Sequence, residues 1–272
     1  MDFHTKLANA VKENNSLVCV GLDSDITKMP LLVKKMDHPQ FHFNKAIIDA
    51  THDMVCCYKP NPAFYESRGD RGLAELRMTC DYIRGIYPEI PIIIDAKRGD
   101  IGNTNEGYAK YVFDYLKADG MTVMPYMGIE SLDIYFQQEN KGIIVGCHSS
   151  NPGAKEFQEL EINGKQLYEI VAEELVKQQG SNPNVMIFMG ATYPEQLTKI
   201  RDIVGDMNLL VPGVGAQGGD IESFVKAGKN SQNAGLIINA SRSIIFASEG
   251  NDFAEKARSE TQKLQKEINK YG

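Results

Sequence analysis

Eight short apolar runs separated by helix-length segments constrain the fold of this chain more than any other feature. They cover residues 17–22, 54–58, 92–94, 121–124, 142–146, 185–189, 209–211 and 236–238. Short runs rich in Val, Ile and Leu read as strands buried on both faces, the pattern of a parallel sheet covered by helices. Polar residues come after nearly all of them: Asp23 after the first, Lys59 after the second, Asp95 and Lys97 after the third, Ser149 and Ser150 after the fifth, and Asn239, Ser241 and Arg242 after the eighth. An open doubly wound sheet would concentrate such residues at one switch point. Their spread over the strand ends instead predicts an α/β fold of the closed (β/α)8 type, a TIM barrel, whose strand ends converge on one mouth. The 272 residues suit one such barrel as a single domain over 1–272.

The segments between the runs fit helices. An opening amphipathic helix carries Leu7, Ala10 and Val11, and a later segment carries Ala46, Ile47 and Ala50. Further helices are expected over 73–86, 104–118 and 167–178, and a charged amphipathic helix with Phe253, Ala257, Leu264 and Ile268 closes the chain. No low-complexity linker or sequence repeat interrupts the alternation.

The third run carries the densest charge. Pro91 opens it, and Asp95, Lys97, Arg98 and Asp100 follow within six positions. Side chains alternate along a strand, so Asp95 and Lys97 are expected on one face at its carboxyl end. Gly99 then turns the chain, and Asp100 is expected to cap a helix starting near Ile101. Pro60 cannot continue a strand ladder, which puts Lys59 at the last position of the second strand. A surface ion network with Asp100 as an ordinary cap would also use these residue types. The convergence of other polar strand ends favours a functional cluster.

Two late loops suit a phosphate group. Gly213, Gly215, Gly218 and Gly219 allow close backbone approach, Gln217 offers an amide donor, and Arg242 offers a planar fork for phosphate oxygens. The alternative is that the glycines only make tight turns and Arg242 pairs with a surface acid. The five histidines show no metal-ligand spacing, so no metal is expected. His148 adjoins a candidate ligand loop and stays open as a substrate contact, whereas His4, His38, His42 and His52 read as solvated or packed.

A formal charge of −7 and a pI near 5.3 argue against nucleic acid or an anionic membrane as partner. No apolar run approaches the roughly 18 residues of a membrane span, and no secretory leader is apparent. Cys19, Cys56, Cys57, Cys80 and Cys147 are odd in number and lack CxxC spacing, as expected of reduced core thiols in a cytoplasmic protein.

Taken together, the motifs resemble those of the orotidine 5′-phosphate decarboxylases, particularly a bacterial subgroup with chains of this length. The resemblance is carried in order by Tyr58-Lys59-Pro60-Asn61, by Asp95-Ala96-Lys97-Arg98-Gly99-Asp100-Ile101-Gly102-Asn103-Thr104, by Ser150-Asn151-Pro152-Gly153, by Val211-Pro212-Gly213-Val214-Gly215-Ala216-Gln217-Gly218-Gly219-Asp220 and by Asn239-Ala240-Ser241-Arg242-Ser243. It implies a charged catalytic array of Lys59, Asp95, Lys97 and Asp100. It also implies a homodimer in which Asp100, Ile101 and Thr104 reach into the neighbouring subunit's site. Asp23 and Lys59 would bind ribose hydroxyls, Ser150 the pyrimidine, and Pro212, Gln217 and Arg242 the base-and-phosphate side. The implied reaction converts orotidine 5′-phosphate to uridine 5′-phosphate (UMP) and carbon dioxide without a cofactor, with Lys97 donating a proton to C6. Two departures stand out: Met124 where the subgroup usually has Asn, and Cys147-His148-Ser149 where a basic residue and Thr are usual. A metal-dependent decarboxylase or aldolase of the same barrel superfamily, and a non-catalytic nucleotide-binding barrel, are the alternatives.

Overall fold

The computed structural model describes residues 1–190, 194–212 and 221–271. Eight parallel strands form one sheet: β1 (Val18–Gly21), β2 (Cys57–Lys59), β3 (Ile93–Arg98), β4 (Gly120–Val123), β5 (Gly142–His148), β6 (Val185–Met189), β7 (Leu209–Pro212) and β8 (Leu236–Ala240). The order around the sheet is β2-β1-β8-β7-β6-β5-β4-β3. A parallel bridge between Tyr58 and Ile92, with the Tyr58 N–H donating to the Pro91 carbonyl at 3.0 Å, joins the two ends and closes the predicted barrel. Helices cover its outside, so all carboxyl ends of the strands open on one mouth.

Strand alternation divides the apolar residues into two cores. Cys19, Cys57, Ile93, Ile144, Met186, Leu210 and Ile237 form a cluster inside the barrel. Their neighbours in sequence, such as Val18, Val20, Tyr58, Ile94, Val145, Ile187 and Val211, pack outward against the helices. Phe3 and Leu7 of the first helix (Phe3–Asn14) join the interior cluster from the amino-terminal end of the strands. Gly142 makes room for this plug, because a Cβ there would lie 2.5 Å from the Phe3 ring.

Several expected boundaries move. Residues 52–54 form a short 3-10 turn, and the second strand is confined to Cys57–Lys59. The fifth strand runs on to His148. The expected helix over 104–118 is an α-helix, Gly102–Ala109, that widens into a π-helical turn, Lys110–Tyr115. An antiparallel hairpin pairs Glu161–Ile162 with Lys165–Gln166. Asn163 and Gly164 turn it with φ of 53° and 80°, the conformation an Asn-Gly pair supplies. The closing helix, Phe253–Asn269, buries the expected Phe253, Ala257, Leu264 and Ile268. All five cysteines are buried and free, and burial pushes the Cys80 thiol up to about 12. Among the described residues, no helix is long and apolar enough to cross a membrane.

Candidate active site

One step above the interior cluster, the same inward-facing series turns polar at Lys59, Asp95, Thr122 and Asn239, while Phe188 stays aromatic. The centre of this layer is the Asp95 carboxylate. Its Oδ2 accepts from Lys59 Nζ at 2.7 Å and its Oδ1 from Lys97 Nζ at 2.5 Å. The two lysines differ in solvent access: the Lys59 side chain is 3% exposed and that of Lys97 is 47% exposed. Lys97 also lies over the Phe188 ring, 5.5 Å from its centroid.

Burial and charge oppose each other here. Burial alone would raise the Asp95 carboxyl, but the Lys59 and Lys97 ammonium groups outweigh it and hold the carboxyl well below the ordinary range. Burial would likewise push Lys59 down, yet the charges of Asp95 and Asp23 hold it above the usual lysine value. Buried ions persist only when so compensated. Asp23, just past β1, has its Oδ1 buried without a hydrogen-bond partner among the described residues. The loop carrying it is braced from behind by a buried polar set: Tyr65 Oη donates to the Leu22 carbonyl at 2.9 Å, and Gln40 donates to the Ser24 carbonyl at 2.7 Å.

Asp95 and Lys97 do meet on one side of β3, but not through regular alternation. The β3–β4 register shifts between Ile94 and Arg98, and Lys97 adopts φ +47°. A non-glycine residue in that left-handed region costs about 1–3 kcal/mol, which the surrounding contacts must offset. Gly99 then passes so close to β4 that a Cβ would lie 2.4 Å from the Met124 carbonyl. Met124 itself, one residue past the end of β4, packs against the interior cluster.

The expected cap at Asp100 is corrected. The helix begins at Gly102, Ile101 holds the N-cap position in extended conformation, and no side chain caps it. Asp100 lies one residue too early, and its Oδ1 accepts the Ile101 N–H at 2.8 Å. What holds this turn is Asn105, fully buried and missed in the sequence. It accepts the Asp100 N–H at 3.0 Å, donates to the carbonyls of Asp100 (2.6 Å) and Ser131 (2.8 Å), and accepts from Tyr135 Oη at 2.7 Å. Within one chain Asp100 forms no ion pair with Lys97 among the described residues, so it stands apart from the Lys59–Asp95–Lys97 cluster. Ile101 and Thr104 are exposed beside it.

Ser150 is half-buried just beyond β5. The preceding Ser149 donates its N–H to Gln158 Oε1 at 2.7 Å, which ties this loop to the end of the short helix Ala154–Phe157. His148, open in the sequence as a substrate contact, is fully buried, edge-on to the Tyr168 ring, with Nε2 3.2 Å from Glu159 Oε1. Burial pushes its imidazole down despite that carboxylate. Pro212 ends β7 opposite Asn239 of β8. Arg242 opens the short helix Arg242–Ile245, is exposed, and makes no ion pair among the described residues. Gln217 and the glycines from Gly213 to Gly219 lie outside the described residues. A cavity of about 400 Å³ opens at the opposite end of the barrel, lined by His4, Leu7, Asn182 and Asp206 among others, and it includes none of the charged mouth residues.

Comparison with known proteins follows the same lines. A family model described as "Orotidine 5'-phosphate decarboxylase / HUMPS family" matches residues 16–257. The orotidine 5′-phosphate decarboxylase of Cellvibrio japonicus is 48% identical over 271 residues, covering 99% of this chain and 98% of that protein. The one from Cupriavidus metallidurans is 45% identical, covering 100% and 99%. Among solved structures, OMP decarboxylase of Leishmania donovani aligns with a TM-score of 0.86 at 34% identity, over 100% of this chain and 99% of that one. A putative orotidine-monophosphate-decarboxylase of Toxoplasma gondii aligns at 0.88 and 34%, over 99% and 98%.

Proposed function

The chain belongs to the orotidine 5′-phosphate decarboxylase / HUMPS family and is a carboxy-lyase, and from that premise we propose that it converts orotidine 5′-phosphate to UMP and carbon dioxide, the last step of pyrimidine nucleotide synthesis. The observation that carries this reading is the Asp95 carboxylate held between two ammonium groups at the mouth, one buried and one half-exposed. In the proposed reaction the bond from C6 to the carboxylate carbon breaks and its electron pair stays on C6. Lys97 Nζ stabilises that charge and delivers its proton to C6, then regains one from solvent. Lys59 and Asp23 hold the ribose hydroxyls, Ser150 meets the pyrimidine, and Pro212, Gln217 and Arg242 line the base-and-phosphate side. Asp100, Ile101 and Thr104 enter the site of a second copy in a homodimer, which accounts for the exposure of Ile101 and Thr104 in the single chain.

Asp95 would also repel the departing carboxylate. At about 4 Å and an effective dielectric near 20 that repulsion is roughly 4 kcal/mol, well short of the ~8–23 kcal/mol by which enzymes lower barriers. Binding of the remote phosphate is the larger reservoir, because its energy is available for ordering the site around the ring.

The test mixes purified protein with orotidine 5′-phosphate and follows loss of orotate absorbance with and without chelator. Turnover that survives chelation is expected. Turnover abolished by chelator would point to the metal-dependent alternative, and binding without turnover to a nucleotide-binding barrel.

A further inference from the structure

Asp95 and Lys97 are tied together a second time by a residue of the neighbouring strand. Thr122 of β4 is 1% exposed, and its hydroxyl has two partners. It donates to Asp95 Oδ1 at 2.9 Å and accepts the backbone N–H of Lys97 at 3.0 Å. One oxygen therefore fixes both the carboxylate of one residue and the main chain of the other.

The strand pairing explains why a side chain is needed there. Ile94 pairs with Met121 and Arg98 with Val123, so Asp95, Ala96 and Lys97 all stand opposite the single residue Thr122. Such a bulge interrupts the ladder and leaves main-chain groups to find other partners. The hydroxyl takes the Lys97 N–H at the residue whose φ is +47°. It also shares Oδ1 with Lys97 Nζ, which leaves the carboxylate little freedom to rotate.

We propose that Thr122 is a positioning residue for the Lys97–Asp95 pair: its hydroxyl holds the left-handed Lys97 backbone and the Asp95 carboxylate in one geometry without touching substrate. This inference rests on the reading of Lys97 and Asp95 as the reacting pair. A plain strand residue at this position would need only the β-branched shape, and valine has that shape without the hydroxyl. The two accounts therefore differ on Thr122→Val.

The experiment compares Thr122→Val and Thr122→Ser by steady-state kinetics and by UMP binding. Displacement of a catalytic group by about 1 Å can cost roughly 100-fold, so kcat of Thr122→Val is expected to fall about 10- to 100-fold while UMP affinity stays within about threefold. Thr122→Ser, which keeps the hydroxyl, should recover most of kcat. The proposal is overturned if Thr122→Val keeps kcat within about twofold, if both variants lose kcat equally, or if UMP affinity falls in step with kcat. Should Thr122→Val not fold, Thr122→Ala replaces it, and equal kcat for the alanine and serine variants overturns the proposal. Lys97→Ala is measured in parallel. Near-normal turnover there removes the reading of Lys97, whereas an inactive Lys97→Ala beside a normal Thr122→Val removes only the role of Thr122.

Discussion

The Asn105 side chain grips the backbone of Asp100 from both sides, accepting its N–H and donating to its carbonyl from within a fully buried position. Asn105→Ala would strand these two groups together with the Ser131 carbonyl and Tyr135 Oη. Each buried group left unpaired costs about 1–3 kcal/mol, and partial relaxation should leave a net loss of roughly 2–4 kcal/mol in a denaturant melt. A change below about 0.5 kcal/mol would mean that this turn is held by something else.

The exposed Arg242 at the end of β8 is proposed to meet the substrate phosphate. Arg242→Ala should lower kcat/KM strongly for orotidine 5′-phosphate and much less for orotidine, which lacks the group. Equal losses on both substrates would sink the assignment. The same chemistry predicts that UMP binds more tightly than uridine.

Lys97→Ala should abolish turnover yet keep appreciable UMP affinity, because the proposed phosphate and ribose contacts sit on other strands. Converting Lys97→Cys and alkylating with bromoethylamine should restore some activity by returning an ammonium near its original place. The five native thiols are buried, so the parent protein treated in parallel should change little. Full activity in unmodified Lys97→Ala would eliminate the proton-donor role.

The separation of Asp100 from Lys97 within one chain leads to a complementation test. Inactive Lys97→Ala and Asp100→Ala proteins, mixed and allowed to exchange subunits, should regain activity, since one hybrid site receives both intact residues. Verified exchange with no recovery would count against a shared site.

The depressed Asp95 carboxyl and the raised Lys59 ammonium fix the sign of a pH dependence. A depressed carboxyl stabilises the fold above its unfolded value of about 3.9, and that contribution is lost as pH falls toward the folded value. A raised ammonium stabilises below its unfolded value of about 10.4 and loses that contribution as pH climbs toward the folded one. The destabilisation caused by Asp95→Asn should therefore be greatest on the plateau between about pH 5 and 10 and shrink at lower pH. A penalty that grows on acidification would contradict the pairing.

Much of the barrel is legible because apolar runs of three to six residues at helix-length spacing have few other uses, and the sixth strand, Val185–Met189, has the bounds its sequence predicts. The second strand was harder to bound: Met54, Val55 and Cys56 are as apolar and buried as the strand itself, so hydropathy carries no mark where the 3-10 turn ends. The hairpin at Asn163-Gly164 carries a local signal, an Asn-Gly pair, that is independent of the parallel-strand pattern. At the site, Lys59, Asp95 and Lys97 announced themselves as charges at strand ends. Thr122 and Asn105 did not, because a threonine in a strand and an asparagine in a helix are ordinary until a bulge and a turn give them partners. The left-handed backbone at Lys97 is likewise invisible to a two-residue period, which predicts the right neighbour for the wrong geometric reason.

The seat of Phe3 has a consequence for the order in which this molecule can be made. The ring rests where Gly142 begins the fifth strand, so its binding place does not exist until that glycine has been synthesised. At about 5–20 residues per second, a nascent chain carries the unseated aromatic for roughly ten seconds or more. The first helix therefore leaves the ribosome well before the strand that seats it, and it reaches its final station only after that strand has arrived.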